Sequence, residues 1–388
     1  MSALARRIAE RIRREGPIRF DLFQEAALYD PDGGYYERPG RVGRTGDFIT
    51  ASSWHPAFGR TIARTARGLR EEEERSSAKG KEGAPRGFRE PTDLVDVGAG
   101  EGEMLAAADE ALRSWEIRDE FHLVGVERSA TRRARARERL PAASWVSSFE
   151  EIPRVSGLLV AYELFDALPV RALFFEGERL LERVVTLGPG AESFAWGLAE
   201  CADGDEWLKR FRARGIHLLR DQCLEVREGA SLLATSLASR LSSGLLLVFD
   251  YGAPARALYS AARANGTLEA FVGHGVTRDV LTEPGSRDLT AWVDFTQIEE
   301  ALRAAGLAVS GLVSQARFLA AAGIGEEIAA AEAKPTEAER LAERHSLGEL
   351  AAPGGMGESI RVLVASQNVK WAGRFVEWPS PEIVPSNH

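Results

Sequence analysis

Helical spacing, short apolar runs and stretches with neither divide this chain into distinct parts. From Ala3 to Arg14, Leu4, Ile8 and Ile12 share one helical face, and Gly16-Pro17 ends the element. IRFDLFQEAALYDPDGGYY reads as a second helix, broken by Asp30-Pro31 and a Gly33-Gly34 turn. RVGRTGDFITASSWHPAFG is a glycine-rich loop leading into a helix from Ala57 to Arg70. Residues 71–90 are dense in charge, Gly and Ser without apolar periodicity, which predicts an exposed, mobile connection. From Thr92 the pattern changes. Apolar runs at Asp93–Val97, Phe121–Glu127, Ala143–Val146 and Gly157–Glu163 alternate with helical stretches, among them the Arg-rich Ala130–Leu140. That alternation predicts a parallel sheet covered on both faces. RALFFEGERLLERVV then predicts a hairpin, and the stretch 171–220 reads as an insertion. A helix Ala230–Leu241 leads to GLLLVFDYG, a fully apolar strand carrying Asp250, and 252–295 follows as a loop-rich excursion. A helix Thr296–Ala305 and strands Leu307–Leu312 and Ser359–Ala365 would close the sheet.

The stretch TDLVDVGAGEG, Thr92 to Gly102, is where this pattern meets chemistry. A strand runs into Gly98, Gly100 and Gly102, and EMLAAADEALRSW behind them has helical spacing. Glycines let the backbone adopt φ > 0 and pass close to a ligand, and the helix start offers free N–H groups. The next strand ends in Glu127, and a carboxylate at that tip can accept both hydroxyls of a ribose. GxGxG without the third glycine of the dinucleotide fingerprint favours S-adenosylmethionine over NAD, since there is no pyrophosphate to cradle.

Composition narrows the setting. With 388 residues, 44% hydrophobic and 28% charged, the chain is an ordinary globular one with room for a large core. A net charge of −9 argues against non-specific nucleic-acid binding. Cys201 and Cys223 form no CxxC, so neither a zinc site nor a disulfide framework is indicated, and a reducing, cytoplasmic setting is expected. The six histidines have no metal-ligand spacing, and no GxSxG or Walker string occurs. No apolar run reaches bilayer length. MSALARRIAERIRREG contains Glu10 and Glu15 and fits a first helix better than a transit peptide.

Several longer strings occur in order: ALYDPDGGYY and GDFIT, ELFDALPV, VFDYG, GTLEAF, GHGV, EPGSRDLTAWVDF, SQARFL and LAAPGGMGESIRVL. Together they resemble the MidA-like family of S-adenosylmethionine-dependent methyltransferases, whose mitochondrial members methylate an arginine on a respiratory complex I subunit and assist its assembly. The resemblance implies an α/β class I methyltransferase fold with a Rossmann-like sheet. It divides the chain into a helical and loop cap over 1–90, a methyltransferase domain over 91–370 with insertions at about 171–220 and 252–295, and a tail over 371–388. The chain departs from the family's strings at ASSWHPAFG, at Ala99, and at Tyr162-Glu163, where Asn-Glu is usual.

If arginine is the acceptor, a carboxylate pair can hold its guanidinium bidentately. Glu163 and Asp166, just past the fourth strand, are so placed; the alternative is that Glu163 caps a turn and Asp166 a helix from Ala167. The resemblance puts Asp47 and Thr50 of GDFIT on the cofactor's methionine part, where an Asx turn is the other reading. It puts Asp288 and Thr290 on the substrate side, or in a turn. His274 is a candidate base or a structural histidine. Phe48, Trp54 and Tyr162 could face the sulfonium or simply pack. The first function is thus methyl transfer to a protein arginine, with a small-molecule acceptor, or a cofactor-binding assembly factor without turnover, as alternatives. The segments 1–90 and 252–295 are expected to cover the C-terminal edge of the sheet and to form the acceptor site with Glu163.

Overall fold

The computed structural model describes residues 1–37, 51–78, 91–273, 275–351 and 355–369. In chain order, α1 (Ala3–Glu15), β1 (Ile18–Arg19) and α2 (Phe20–Tyr29) precede α3 (Ala51–Trp54) and α4 (Ala57–Ala78). There follow β2 (Thr92–Val97), α5 (Glu103–Ser114), β3 (Phe121–Val126), α6 (Ala130–Arg139), β4 (Ser144–Val146) and β5 (Val155–Tyr162). Next come β6 (Arg171–Phe175), β7 (Leu180–Leu187), β8 (Phe194–Glu200), α7 (Gly204–Ala213), β9 (Gln222–Val226), α8 (Glu228–Arg240) and β10 (Leu241–Ala253). The chain continues through α9 (Ala255–Leu258), β11 (Glu269–Val272), β12 (Gly275–Thr277), β13 (Asp288–Thr290), β14 (Val293–Asp294), α10 (Phe295–Ala304) and β15 (Ala308–Ser314). It ends with α11 (Gln315–Ala321), α12 (Gly325–Glu332), α13 (Glu337–Ala351), α14 (Met356–Ser359) and β16 (Ile360–Gln367).

The main sheet has the order β15-β16-β10-β5-β2-β3-β4. β10, β5, β2, β3 and β4 run parallel, and β16 is antiparallel to both β10 and β15. Every residue of β5 is buried, as is each from Gly244 to Asp250, because helices cover both faces. The chain steps outward from β2 to β3 and β4, then returns to lay β5 on the other side of β2. Ligands bind outside the strand ends at such a reversal.

A second sheet, β1-β7-β6-β9 with β8 on β7, is built from the expected insertion, one N-terminal strand and β9, which lies past the insertion's expected end at about 220. Its hairpin β6–β7 falls where the alternating apolar pairs predicted it. The loop-rich excursion holds a three-stranded sheet, β12-β11-β13.

The first ninety residues divide between two cores rather than forming one cap. Leu4, Ile8, Ile12, Phe20 and Phe23 pack with Val185 and Leu289. Phe58, Ile62 and Leu69 of α4 pack instead against Leu94 and Leu105 of the main sheet and its helix. The connection expected from residue 71 starts later, because α4 runs on to Ala78. Ion pairs one turn apart, Arg67–Glu71 at 3.6 Å and Arg70–Glu74 at 3.1 Å, support that polar extension. Residues 79–90 lie outside the described residues. No helix among the described residues is long and apolar enough to cross a membrane.

Candidate functional site

A cavity of about 350 Å³ opens at the C-terminal ends of β2, β3, β4 and β5. Its floor is the turn Gly98–Gly102. Gly98, Gly100 and Gly102 have φ of 82°, 58° and 82°, a region costly for other residues. A Cβ on Gly102 would lie 2.7 Å from the Trp145 ring, so this glycine also lets α5 close against β4.

Beyond β3, Glu127 is buried, accepting from the Gly100 N–H at 2.9 Å and the Ser129 N–H at 2.8 Å. Each carboxylate oxygen has a second lone pair, so the same side chain can still receive ribose hydroxyls. Ser148 and Phe149, just after β4, continue this wall. Asp96, at the end of β2, is pushed up to about 8 by burial first and then by Glu127 and Glu103.

The other half of the cavity is acidic in a different way. Glu163 follows β5 with φ 46°, an uncommon value for a side-chain-bearing residue. Its N–H donates to the Phe249 carbonyl at 2.9 Å, which ties the turn to β10. Glu163 Oε1 and Asp166 Oδ1 are both buried and have no hydrogen-bond partner among the described residues. Asp166 Oδ2 accepts from Thr290 Oγ1 at 3.1 Å. Asp250 receives the Phe165 N–H at 2.9 Å and the Asp166 N–H at 3.2 Å. Asp288 receives the Tyr36 hydroxyl at 2.9 Å, and Tyr29 donates to the Ala167 carbonyl at 3.0 Å.

Burial pushes Glu163 well above the carboxylate range, and Asp166 and Asp250 push it further. Asp250 is raised by burial and by Asp166, with the Arg227 guanidinium opposing. Burial, then Asp166, lifts Asp288 to about 7. Burial and mutual repulsion favour the neutral forms of these acids, and a cation beside them would favour the charged forms.

The expected site residues therefore fall into three groups. Gly98, Gly100, Glu127 and Glu163 line one cavity, with Asp166 beside it and Asp288 and Thr290 joined to it by hydrogen bonds, whereas Gly102 faces Trp145 instead of the cavity. Asp47, Phe48, Thr50 and His274 lie outside the described residues. Trp54 turns away and donates to the Ser346 carbonyl at 2.8 Å, so it packs. No helix begins at Ala167: residues 163–170 form a turn, which removes the helix-cap reading of Asp166. His55, in the departing string, holds Glu343 at 2.6 Å while its other ring nitrogen accepts from Ala57 N–H at 3.1 Å. That pair pins the segment before α4 to α13. Tyr162 both lines the cavity beside Glu163 and packs: its hydroxyl accepts from Ala51 N–H at 3.2 Å and donates to Gln315 at 3.3 Å.

Sequence reasoning gave no role to Tyr29, Tyr36, Phe149 or Arg227. Phe149 could have been found as a residue following a parallel strand. Nothing local marks Arg227.

A family model described as S-adenosyl-L-methionine-dependent methyltransferase matches residues 79–313. The chain belongs to this family. It is an S-adenosylmethionine-dependent methyltransferase with the class I fold. It is 28% identical to the mitochondrial protein arginine methyltransferase NDUFAF7 of Mus musculus, over 84% of this chain and 75% of that protein. The Drosophila melanogaster homologue is 28% identical over 82% of this chain and 74% of its own. A crystal structure from Burkholderia thailandensis bound to S-adenosyl-homocysteine superposes with a TM-score of 0.85 at 28% identity, covering 97% of this chain and 95% of that one. Strand, turn, helix and Glu127 fit such a ligand here, because Gly98–Glu101, Glu127 and Phe149 line one and the same cavity.

Proposed function

We propose that this methyltransferase acts on the guanidinium of an arginine side chain in a protein. The observation that carries this reading is the pair of buried, unpartnered oxygens, Glu163 Oε1 and Asp166 Oδ1, inside a cluster of four acids. An unmet buried carboxylate oxygen is costly, and a planar guanidinium offers five N–H donors in a fixed fork. The proteins it resembles at 28% identity, named as arginine methyltransferases, support the same reading.

Bound S-adenosylmethionine would supply an electrophilic methyl group on its sulfonium. Gly98, Gly100 and Gly102 would bear its methionine end, Glu127 its ribose, and Phe149 and Ser148 its base. Asp47 and Thr50 remain proposed for the methionine part, and His274 for the acceptor side. Glu163 would hold the reacting nitrogen by an N–H, drawing positive charge away from it. As the new N–C bond forms, the methyl–sulfur bond would break and leave a neutral thioether, while the nitrogen sheds one proton, which the Glu163 carboxylate would take. Asp166 would hold a second N–H and fix the plane of the group. A reducing, cytoplasmic setting is part of this reading, since Cys201 and Cys223 are both free thiols.

The test is incubation with cofactor radiolabelled in its methyl group and a lysate fractionated by size, followed by acid hydrolysis of the protein fraction. Label recovered as methylarginine is the expected result. Label confined to small molecules would overturn the protein acceptor.

A further inference from the structure

Arg227 lies at the junction between the second sheet and the acid cluster. It follows β9 directly and is only 4% exposed. Its guanidinium donates to four backbone carbonyls: Leu168 from Nε at 3.0 Å, Trp292 from Nη1 at 3.2 Å, and Asp166 and Ala291 from Nη2 at 3.0 and 2.9 Å. Two of those carbonyls belong to the turn after β5, which carries Glu163 and Asp166. The other two directly follow β13, which carries Asp288 and Thr290. Its own carbonyl is held by Gln297 Nε2 at 2.8 Å, and Gln297 also reaches Ser231 at 3.0 Å.

We propose that Arg227 is a positioning residue for methyl transfer: one side chain from the inserted sheet ties the two acid-bearing segments together and sets their spacing. This rests on the reading of Glu163 and Asp166 as the acceptor side. A lysine cannot replace it, because three donors on one nitrogen cannot span four carbonyls on two segments. Arg227 also supplies charge. Asp166, Asp250, Glu225 and Tyr259 surround it, while Asp166 in turn faces Arg227, Thr290, Glu163, Asp250 and Asp288. Burial raises Asp166 above the ordinary carboxylate range, and Arg227 is the chief influence opposing that rise, ahead of the Thr290 hydroxyl. Spacing and charge are thus controlled from one point, outside the cofactor's half of the cavity.

Aspartate labelled with ¹³C at its carboxyl reads this directly, with the Asp166 signal assigned through Asp166→Asn. We expect Asp166 to titrate about 1–3 pH units higher in Arg227→Gln than in the wild type. Arg227→Lys, which keeps the charge, should bring the titration back toward wild type. Calorimetric binding of S-adenosyl-homocysteine verifies that each variant is folded. Identical titration in all three proteins would overturn the proposal. If Arg227→Gln does not fold, amide hydrogen exchange on Arg227→Lys decides. Faster exchange in 164–168 and 289–293 together, with 98–102 unchanged, is the expected result. Unchanged exchange, or a change confined to 222–230, would overturn it. Neither readout uses an acceptor, so a failure of the arginine reading would be seen separately, in the methylation assay.

Discussion

The two halves of the cavity hold their carboxylates in opposite ways. In the cofactor half, Glu127 is anchored by two backbone N–H groups from the glycine turn and the start of α6. In the acceptor half, Glu163 and Asp166 each keep a buried oxygen with no partner among the described residues. The first arrangement is complete before a ligand arrives and asks only for hydroxyls. The second is left incomplete, and a cation with several N–H donors would complete it. A buried acid is stable either when it is bonded or when it is protonated. In one half the acid is bonded, and in the other burial pushes Glu163, Asp250 and Asp288 above the ordinary carboxylate range. Asp96 is the exception: it lies by the glycine turn yet is pushed up to about 8.

Three changes would break or sharpen this contrast. The largest effect is expected from Glu163→Gln. It keeps size but removes the charge proposed to hold the acceptor and take its proton. Turnover should fall about 10²–10³-fold, as for loss of one well-placed electrostatic contact, with cofactor affinity unchanged. Steady-state kinetics and calorimetry on one preparation check both. Wild-type turnover would remove Glu163 from the chemistry.

Glu127→Ala should do the reverse, weakening the cofactor and sparing what the acceptor half does. Charge-assisted hydrogen bonds are each worth about 1.5–3 kcal/mol, so losing one to a ribose hydroxyl should weaken binding roughly ten- to hundredfold. The glycine turn loses its Gly100 bond as well. Unchanged affinity by calorimetry would place the ribose elsewhere.

Asp288→Asn should have the smallest effect on turnover and cofactor affinity, because it acts on stability. Asp288 is raised to about 7 from an ordinary 3.8. Between those values the folded protein keeps a proton that the unfolded chain has lost, so ionising Asp288 destabilises the fold as pH rises from about 4 to 7. Asn accepts from Tyr36 without that penalty. The variant should melt higher than wild type at pH 8, with the gap shrinking toward pH 5. A gap independent of pH would mean that Asp288 is not protonated in the folded protein.

The cofactor half was legible because its parts are neighbours in sequence. Gly98, Gly100 and Gly102 stand between an apolar strand and an amphipathic helix, and Glu127 closes the next strand. The acceptor half was legible only in pieces. Glu163 was visible as the tip of the fourth strand, but its unpartnered oxygen was not. Tyr36 and Asp288 are 252 residues apart, and no spacing rule joins them. The split of the first ninety residues was hidden too, because α1 and α4 have the same amphipathic pattern and burial on either core satisfies it.

By itself, then, the sequence determined the alternation of strands and helices, the glycine turn and the acids at the ends of the second and fourth strands. These depend on backbone freedom and apolar periodicity within a few residues. Only the tertiary structure decided which acids are buried together and which are left unpaired. It alone brought Arg227 to within 3.2 Å of four carbonyls on two segments. Burial and charge proximity depend on how distant segments pack, and the upward shifts of Glu163, Asp166, Asp250 and Asp288 follow from that packing.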